Sequence, residues 1–420
     1  RDVLEAAAGF VSYVKKEEEE SGGDDVLGGR TDLRGLPCVT IDGKGTTFRD
    51  DAIGIRPRAS TGRGVTPGAS KWEILVHITD VSVIHTPASS STHASLDPAI
   101  AKILRTTAAR RGYSRYDLPQ GPLHLLPPRA LQSLSFSQNR PLNKAVTLWA
   151  YIDQNTGRLL DVGLERTLIS PPVPLTYQSA TNVLESPETT PTKALLGVVE
   201  RHLAAFATAL LSKDTRAQKR QSRLEARTLI SQQQQTTTTA GRTTTFQRTR
   251  ANRLVDNALE LYGRGLTTLL LPRRRTLLLP RAAGKAQNRI GTAPLRRYVD
   301  GVAQRQALAG LCGYGEVMSR EDIFAVNREV DRARELLDGD RASSATAGGT
   351  TAMNNVKALV KLQGYLRAQK SGARRQRNDD DDAGELLLEG ISTGKQNQVV
   401  IVGVGAVGTC DGVSGTLRPG

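Results

Sequence analysis

Residues 40–52, TIDGKGTTFRDDA, decide the reading of this chain. Three carboxylates, Asp42, Asp50 and Asp51, fall within ten residues on a loop between two strand-like runs, CVTI and IGI. Crowded carboxylates raise one another's pKa, so such a loop is costly unless something offsets the charge. A hard divalent cation such as Mg²⁺ does so through oxygen ligands and commonly works on phosphates. From this segment alone, a solvated acidic loop explains the pattern equally well.

A second segment, GTAPLRRYVD (291–300), shifts the balance. It sets Arg296 and Arg297 after a proline, with Tyr298 and Asp300 behind them. The planar fork of arginine suits bidentate contact with phosphate; the competing reading is a surface ion-pair network. Between the two segments lie RTDLRGLPCVTIDG (30–43), ILVHITDVSVI (74–84), LDPAIAKILRTTAARRGYSRYDLPQGPLHLLP (96–127), LQSL (131–134) and LTYQSATNVLE (175–185), and TAPLRRYVDGVAQRQAL (292–308) closes the series. In this order they resemble the catalytic domain of the ribonuclease II family, the RNB domain, a set of processive 3′→5′ exoribonucleases. The resemblance covers residues 30–310.

The resemblance implies an α+β fold: an RNB-type domain of mixed sheet and surrounding helices, followed by a partial OB-type β-barrel. It further implies Mg²⁺ held by Asp42, Asp50 and Asp51, with Asp50 and Arg296 catalytic and Arg296 facing the developing charge on phosphate. By the same match Tyr116, Arg297 and Tyr298 bind single-stranded RNA.

Two departures stand beside the matches. The family loop reads D-x5-D-x-D-D, and here Phe48 replaces its second aspartate while Arg49 takes a position usually uncharged. In RLVDNALELYG (253–263), Asn257 replaces a family glutamate. Each lost carboxylate removes negative charge facing a doubly charged ion. A guanidinium ~6 Å from such an ion opposes it by roughly 5 kcal/mol at an effective dielectric of ~20. Impaired catalysis is the expectation.

Composition agrees with a polyanionic partner. The net charge is +15, and aromatics make up only 4% of residues, so charge carries more of the case than base stacking. Cys38, Cys312 and Cys410 form no CxxC pair, which leaves no zinc module or disulfide framework to expect. His77, His85 and His93 recur every eight residues but have no cysteine cluster beside them, and read as core or surface histidines. No run approaches the ~20 apolar residues that cross a bilayer. Arginine content and basic charge suggest an organellar protein, mitochondrial or plastid.

The chain divides, on sequence, into an N-terminal helix with an acidic linker (1–29), the RNB-like domain (30–310) with a low-complexity insertion (232–245), a helical extension (311–372) and the OB-type module (373–420). Strands are expected at WEILVHI, KAVTLWAYI and RLLDVGLERTLI. Helices are expected from Asp97 and Pro98 onward, over 193–231, over 250–263 closed by Gly263, from a Ser319/Asp322 start, and over 354–369. Two functions follow. One is an RNA-binding or structural subunit of a ribonucleoprotein, such as an organellar ribosome, built on an impaired nuclease. The other is an active Mg²⁺-dependent exoribonuclease that releases nucleoside 5′-monophosphates.

Overall fold

WEILVHIT, the run from Trp72 to Thr79, forms the middle strand of a seven-stranded sheet. The strands are β1 (Thr31–Leu33), β2 (Cys38–Asp42), β3 (Asp51–Pro57), β4 (Trp72–Thr79), β5 (Asn143–Ile152), β6 (Leu159–Ile169) and β7 (Val173–Thr176). Their order is β1-β6-β5-β4-β3-β2-β7. The inner pairs are antiparallel, and the two edge pairs, β1 with β6 and β2 with β7, are parallel. The computed structural model describes residues 2–20, 29–58, 72–86, 96–116, 121–213, 249–273, 277–281, 288–346, 407–410 and 413–416.

This order forces the sheet to curl. In a flat sheet β1 and β2 would lie five strand spacings apart, about 24 Å. The five residue steps from Leu33 to Cys38 reach at most ~18 Å. The step from Ile169 to Val173, linking β6 to β7, is shorter still. Side-chain alternation puts Leu33, Cys38, Ala52, Leu75, Ala145 and Ile169, from six different strands, on one face of the sheet, where they join Phe136 in one small cluster. His77 is buried on the same face and bonds Thr147, whose hydroxyl meets that of Thr167. Gly54 leaves the space that the His77 ring needs.

The opposite face, with Ile53, Ile74, Val76, Ile78, Leu148 and Ala150, packs into the main core beneath the helices. These are α1 (Asp2–Glu20), α2 (Ser82–His85), α3 (Pro98–Arg111), α4 (Pro128–Leu134), α5 (Tyr177–Glu185), α6 (Pro191–Lys213), α7 (Arg250–Leu270), α8 (Tyr298–Cys312) and α9 (Arg320–Thr346). The α+β class is the expected one. Asp97 caps α3 through the Ala99 amide with Pro98 in the first turn. Ser319 and Asp322 bond reciprocally at the start of α9.

Several local expectations change. The Glu17–Glu20 run is the last turn of α1, where Glu17 pairs with Lys144 at 2.7 Å and Glu18 with Arg140 at 3.1 Å. Gly263 does not end its helix: α7 continues to Leu270, and the glycine serves close approach, since the backbone of Asn288 and Arg289 passes where a Cβ at Gly263 would sit. His77 and His85 are core residues, and burial lowers both to about 3. His93, the 232–245 insertion and the 354–369 helix lie outside the described residues.

The chain forms two compact units. The first holds the sheet and α1 to α8. The second comprises Arg115–Leu123 and Asp331–Gly420. Its described residues include a backbone pairing of Arg115 with Leu123 and a hairpin of β8 (Val407–Cys410) and β9 (Val413–Thr416). The remainder of the expected OB-type barrel lies outside the described residues.

Candidate active site

Strand ends assemble the acidic loop. β2 finishes at Asp42, which lies beside Thr176 in the parallel pairing with β7, and Tyr177 then opens α5. β3 begins at Asp51, opposite Ile78 of β4, and the Thr79 amide donates to the Asp50 carbonyl at 2.8 Å. Between them the loop turns at Gly43–Thr46, with Gly45 at φ +85°. It is clamped on its return: the Arg49 amide donates to Ser135 Oγ at 2.8 Å, and the Phe136 amide donates to the Arg49 carbonyl at 3.2 Å. The run that carries the two arginines is tied to the loop by a hydrogen bond from the Leu295 amide to Asp50 Oδ1 at 2.8 Å. Asp42, Asp50, Asp51 and Arg296 thus share one end of the sheet.

Their charge is incompletely balanced. Asp50 is buried, and its other oxygen lies 3.7 Å from Arg296 Nε. Burial raises its carboxyl to about 6 against the pull of Arg296. Asp42 is likewise raised by burial to about 6, opposed by Arg49, whose Nε lies 3.5 Å from Asp42 Oδ2. Asp51 is raised furthest, to about 8, by burial first and then by the Asp42 and Asp50 charges. Tyr177 stands in the same field: burial, then Asp51, Asp42 and Asp256, push its hydroxyl up to about 12.

The expected residues separate into groups. The Arg296 side chain is 50% exposed. Arg297 turns inward: its Nη2 lies 2.6 Å from Asp300 Oδ2, 3.0 Å from Thr292 Oγ1 and 3.3 Å from the Arg289 carbonyl. Asp300 is itself buried and accepts from the Ala293 amide. Tyr298 starts α8 and is buried with its ring 5.6 Å from that of His85. These two residues were expected at the RNA. In the structure the Arg297 guanidinium is taken up by Asp300, Thr292 and Arg289, and the Tyr298 ring is buried at the start of α8. Tyr116 belongs to the second unit, where it is 61% exposed.

The substituted positions are equally clear. Phe48 is partly buried, packing edge-on against His124, with ring centroids 5.1 Å apart, and against the main core. Asn257 is half-buried on α7. The preceding Asp256, about 100° around the helix, pairs with Arg289 at 2.7 Å. Sequence reading missed Tyr177 and Asp256. Only the long-range β2–β7 pairing brings Tyr177 beside Asp42.

The donor set is hard oxygen, the right chemistry for Mg²⁺. The arrangement nevertheless does not fit such an ion. Asp42 and Asp50 each turn an oxygen toward a guanidinium, and Asp50 gives its other oxygen to an amide. Among the described residues no three acidic, histidine or cysteine side chains gather closely enough to hold a metal.

The RNB-domain family model matches residues 30–290, more than half of the 420-residue chain. Among solved structures, an active-site mutant of the Dss1 exoribonuclease from Candida glabrata superposes with a TM-score of 0.54 at 11% identity, covering 85% of this chain and 51% of its own. Yeast Ssd1, a pseudonuclease, gives 0.50 at 14% identity, covering 74% and 44%. Mycoplasma genitalium RNase R in complex with ribose-methylated single-stranded RNA gives 0.48 at 13%, covering 83% and 62%. At these identities the likeness shows the fold alone, and this chain spans about half the length of the structures it matches. No curated protein sequence matches. Among the described residues no helix is long and apolar enough to cross a membrane.

Proposed function

We propose that this chain, which belongs to the RNB-domain family, binds RNA at a nuclease-derived site that has lost most or all of its hydrolytic capacity. The observation that carries this reading is the pair Phe48 and Arg49. One puts a phenyl ring, packed against the core, where the family loop has a carboxylate, and the other sets a positive charge against Asp42. Two-metal hydrolysis needs carboxylates free to face the ions, and here Asp42 and Asp50 face arginines. The net charge of +15 and the half-exposed Arg296 support binding of the phosphate backbone. A place as an RNA-binding subunit of a ribonucleoprotein, in a mitochondrion or plastid, is the corresponding cellular role.

A second reading, an active Mg²⁺-dependent 3′→5′ exoribonuclease, draws on Asp42, Asp50 and Asp51 still sharing one end of the sheet with Arg296 above them. One assay separates the two. Purified protein is incubated with 3′-labelled single-stranded RNA and Mg²⁺, beside Asp50→Asn and Phe48→Asp variants. The proposal expects bound RNA, no labelled mononucleotide from the wild type, and partial release by Phe48→Asp. Release by the wild type that Asp50→Asn abolishes would establish the enzyme.

A further inference from the structure

We propose that Arg49 is a built-in counter-cation of the acidic loop, so that the fold keeps Asp42, Asp50 and Asp51 together with no bound divalent ion. Asp42 Oδ2 is buried and accepts no hydrogen bond, and the Arg49 guanidinium lies 3.5 Å from it. A buried anionic oxygen without a hydrogen bond needs a positive charge nearby, and Arg49 supplies one from within the loop itself. Its placement is fixed, because the Arg49 backbone is held on both sides by Ser135 and Phe136. Phe48, one residue earlier, anchors the loop against the core and His124. Asp50 depends less on its own guanidinium, because it accepts the Leu295 amide and the nearby Arg296 is half-exposed. The two substitutions therefore act as a unit: Phe48 removes one negative charge and Arg49 offsets another.

This inference rests on the proposed function in that it takes the site to be metal-free, and its test contains no RNA. Thermal unfolding is followed in EDTA and in saturating Mg²⁺ for the wild type, Arg49→Leu, and the double variant Asp42→Asn/Arg49→Leu. The wild type is expected to melt at one temperature in both solutions. Arg49→Leu should melt lower in EDTA and recover by about 2 °C or more with Mg²⁺, while the double variant melts near the wild type and ignores the ion. A saturable Mg²⁺-dependent rise in the wild type would overturn the proposal, as would an Arg49→Leu variant that neither loses stability in EDTA nor responds to metal. Should Arg49→Leu fail to fold in either solution, recovery of the fold in the double variant supports charge compensation. Failure of the double variant to recover overturns it, assigning Arg49 to packing. A protein that melts as expected yet binds no RNA would refute the function and leave the counter-cation intact.

Discussion

Asp51 and Asp80 flank the same antiparallel strand pair, one opening β3 and the other just past β4, yet their surroundings are opposite. Asp80 is buried with Arg30 Nη2 at 2.5 Å and Arg166 Nε at 3.7 Å, and it accepts the Ser82 amide at 2.8 Å. Burial pushes its carboxyl up, but the two guanidiniums and the Ser82 bonds outweigh that and hold it well below the usual carboxylate range. Arg166 in turn lies 3.5 Å over the Tyr314 ring. Asp51 has burial and two like charges acting the same way, with Arg296 as the weaker opposing influence. The fold thus completes one carboxylate's electrostatics and leaves the neighbouring one unbalanced. Unbalanced charge destabilises, which is the pattern of a site shaped by function more than by stability.

The largest test breaks the completed side. Asp80→Asn strands Arg30, whose side chain is only 7% exposed, and loss of one partner from a buried pair should cost about 3–5 kcal/mol. Denaturant unfolding gives the number, and a loss below ~1 kcal/mol would mean that solvent already screens the pair.

The next test relieves the unbalanced side. The Asp51 carboxyl sits near 8 in the fold against 3.8 when unperturbed. Its protonated form is the one the fold favours. Its contribution is therefore full below about pH 4 and is lost as pH rises through about 8. Asp51→Asn should stabilise by the order of 1–3 kcal/mol at pH 8 and by almost nothing at pH 4. Melting curves across that range check it, and a difference independent of pH would refute the assignment.

The smallest structural effect belongs to Arg296. Half-exposed and 3.7 Å from Asp50, it should change stability by no more than ~0.5 kcal/mol on Arg296→Ala. The same change should weaken RNA binding several-fold and make it less sensitive to salt. Fluorescence anisotropy at two salt concentrations measures both, and unchanged affinity would place the RNA elsewhere.

Local patterns carried much of the fold. The alternation in β4, β5 and β6, the Asp97 cap and the Ser319–Asp322 box all depend on residues a few positions apart. The errors came from distance. Gly263 resembles a helix stop, but its lack of a side chain serves the passing backbone of Asn288, which no nearby residue signals. Within the site, Asp42, Asp50, Asp51 and Arg296 were readable as motif positions. The inward placement of Arg297 and Tyr298 was not, because the start of α8 takes both largely out of solvent beside a half-exposed Arg296 in the same motif. Tyr177 entered only through the pairing of Asp42 with Thr176.

The contrast between the two carboxylates is tested most directly by following the side-chain carboxyl carbons of Asp51 and Asp80 by NMR as pH is varied, assigned through Asp51→Asn and Asp80→Asn. The account predicts that Asp80 stays ionised to the lowest pH at which the protein remains folded, while Asp51 takes up its proton near neutrality or above. Two carboxylates titrating together near 4 would contradict it, and would mean that the acidic loop is an ordinary solvated surface.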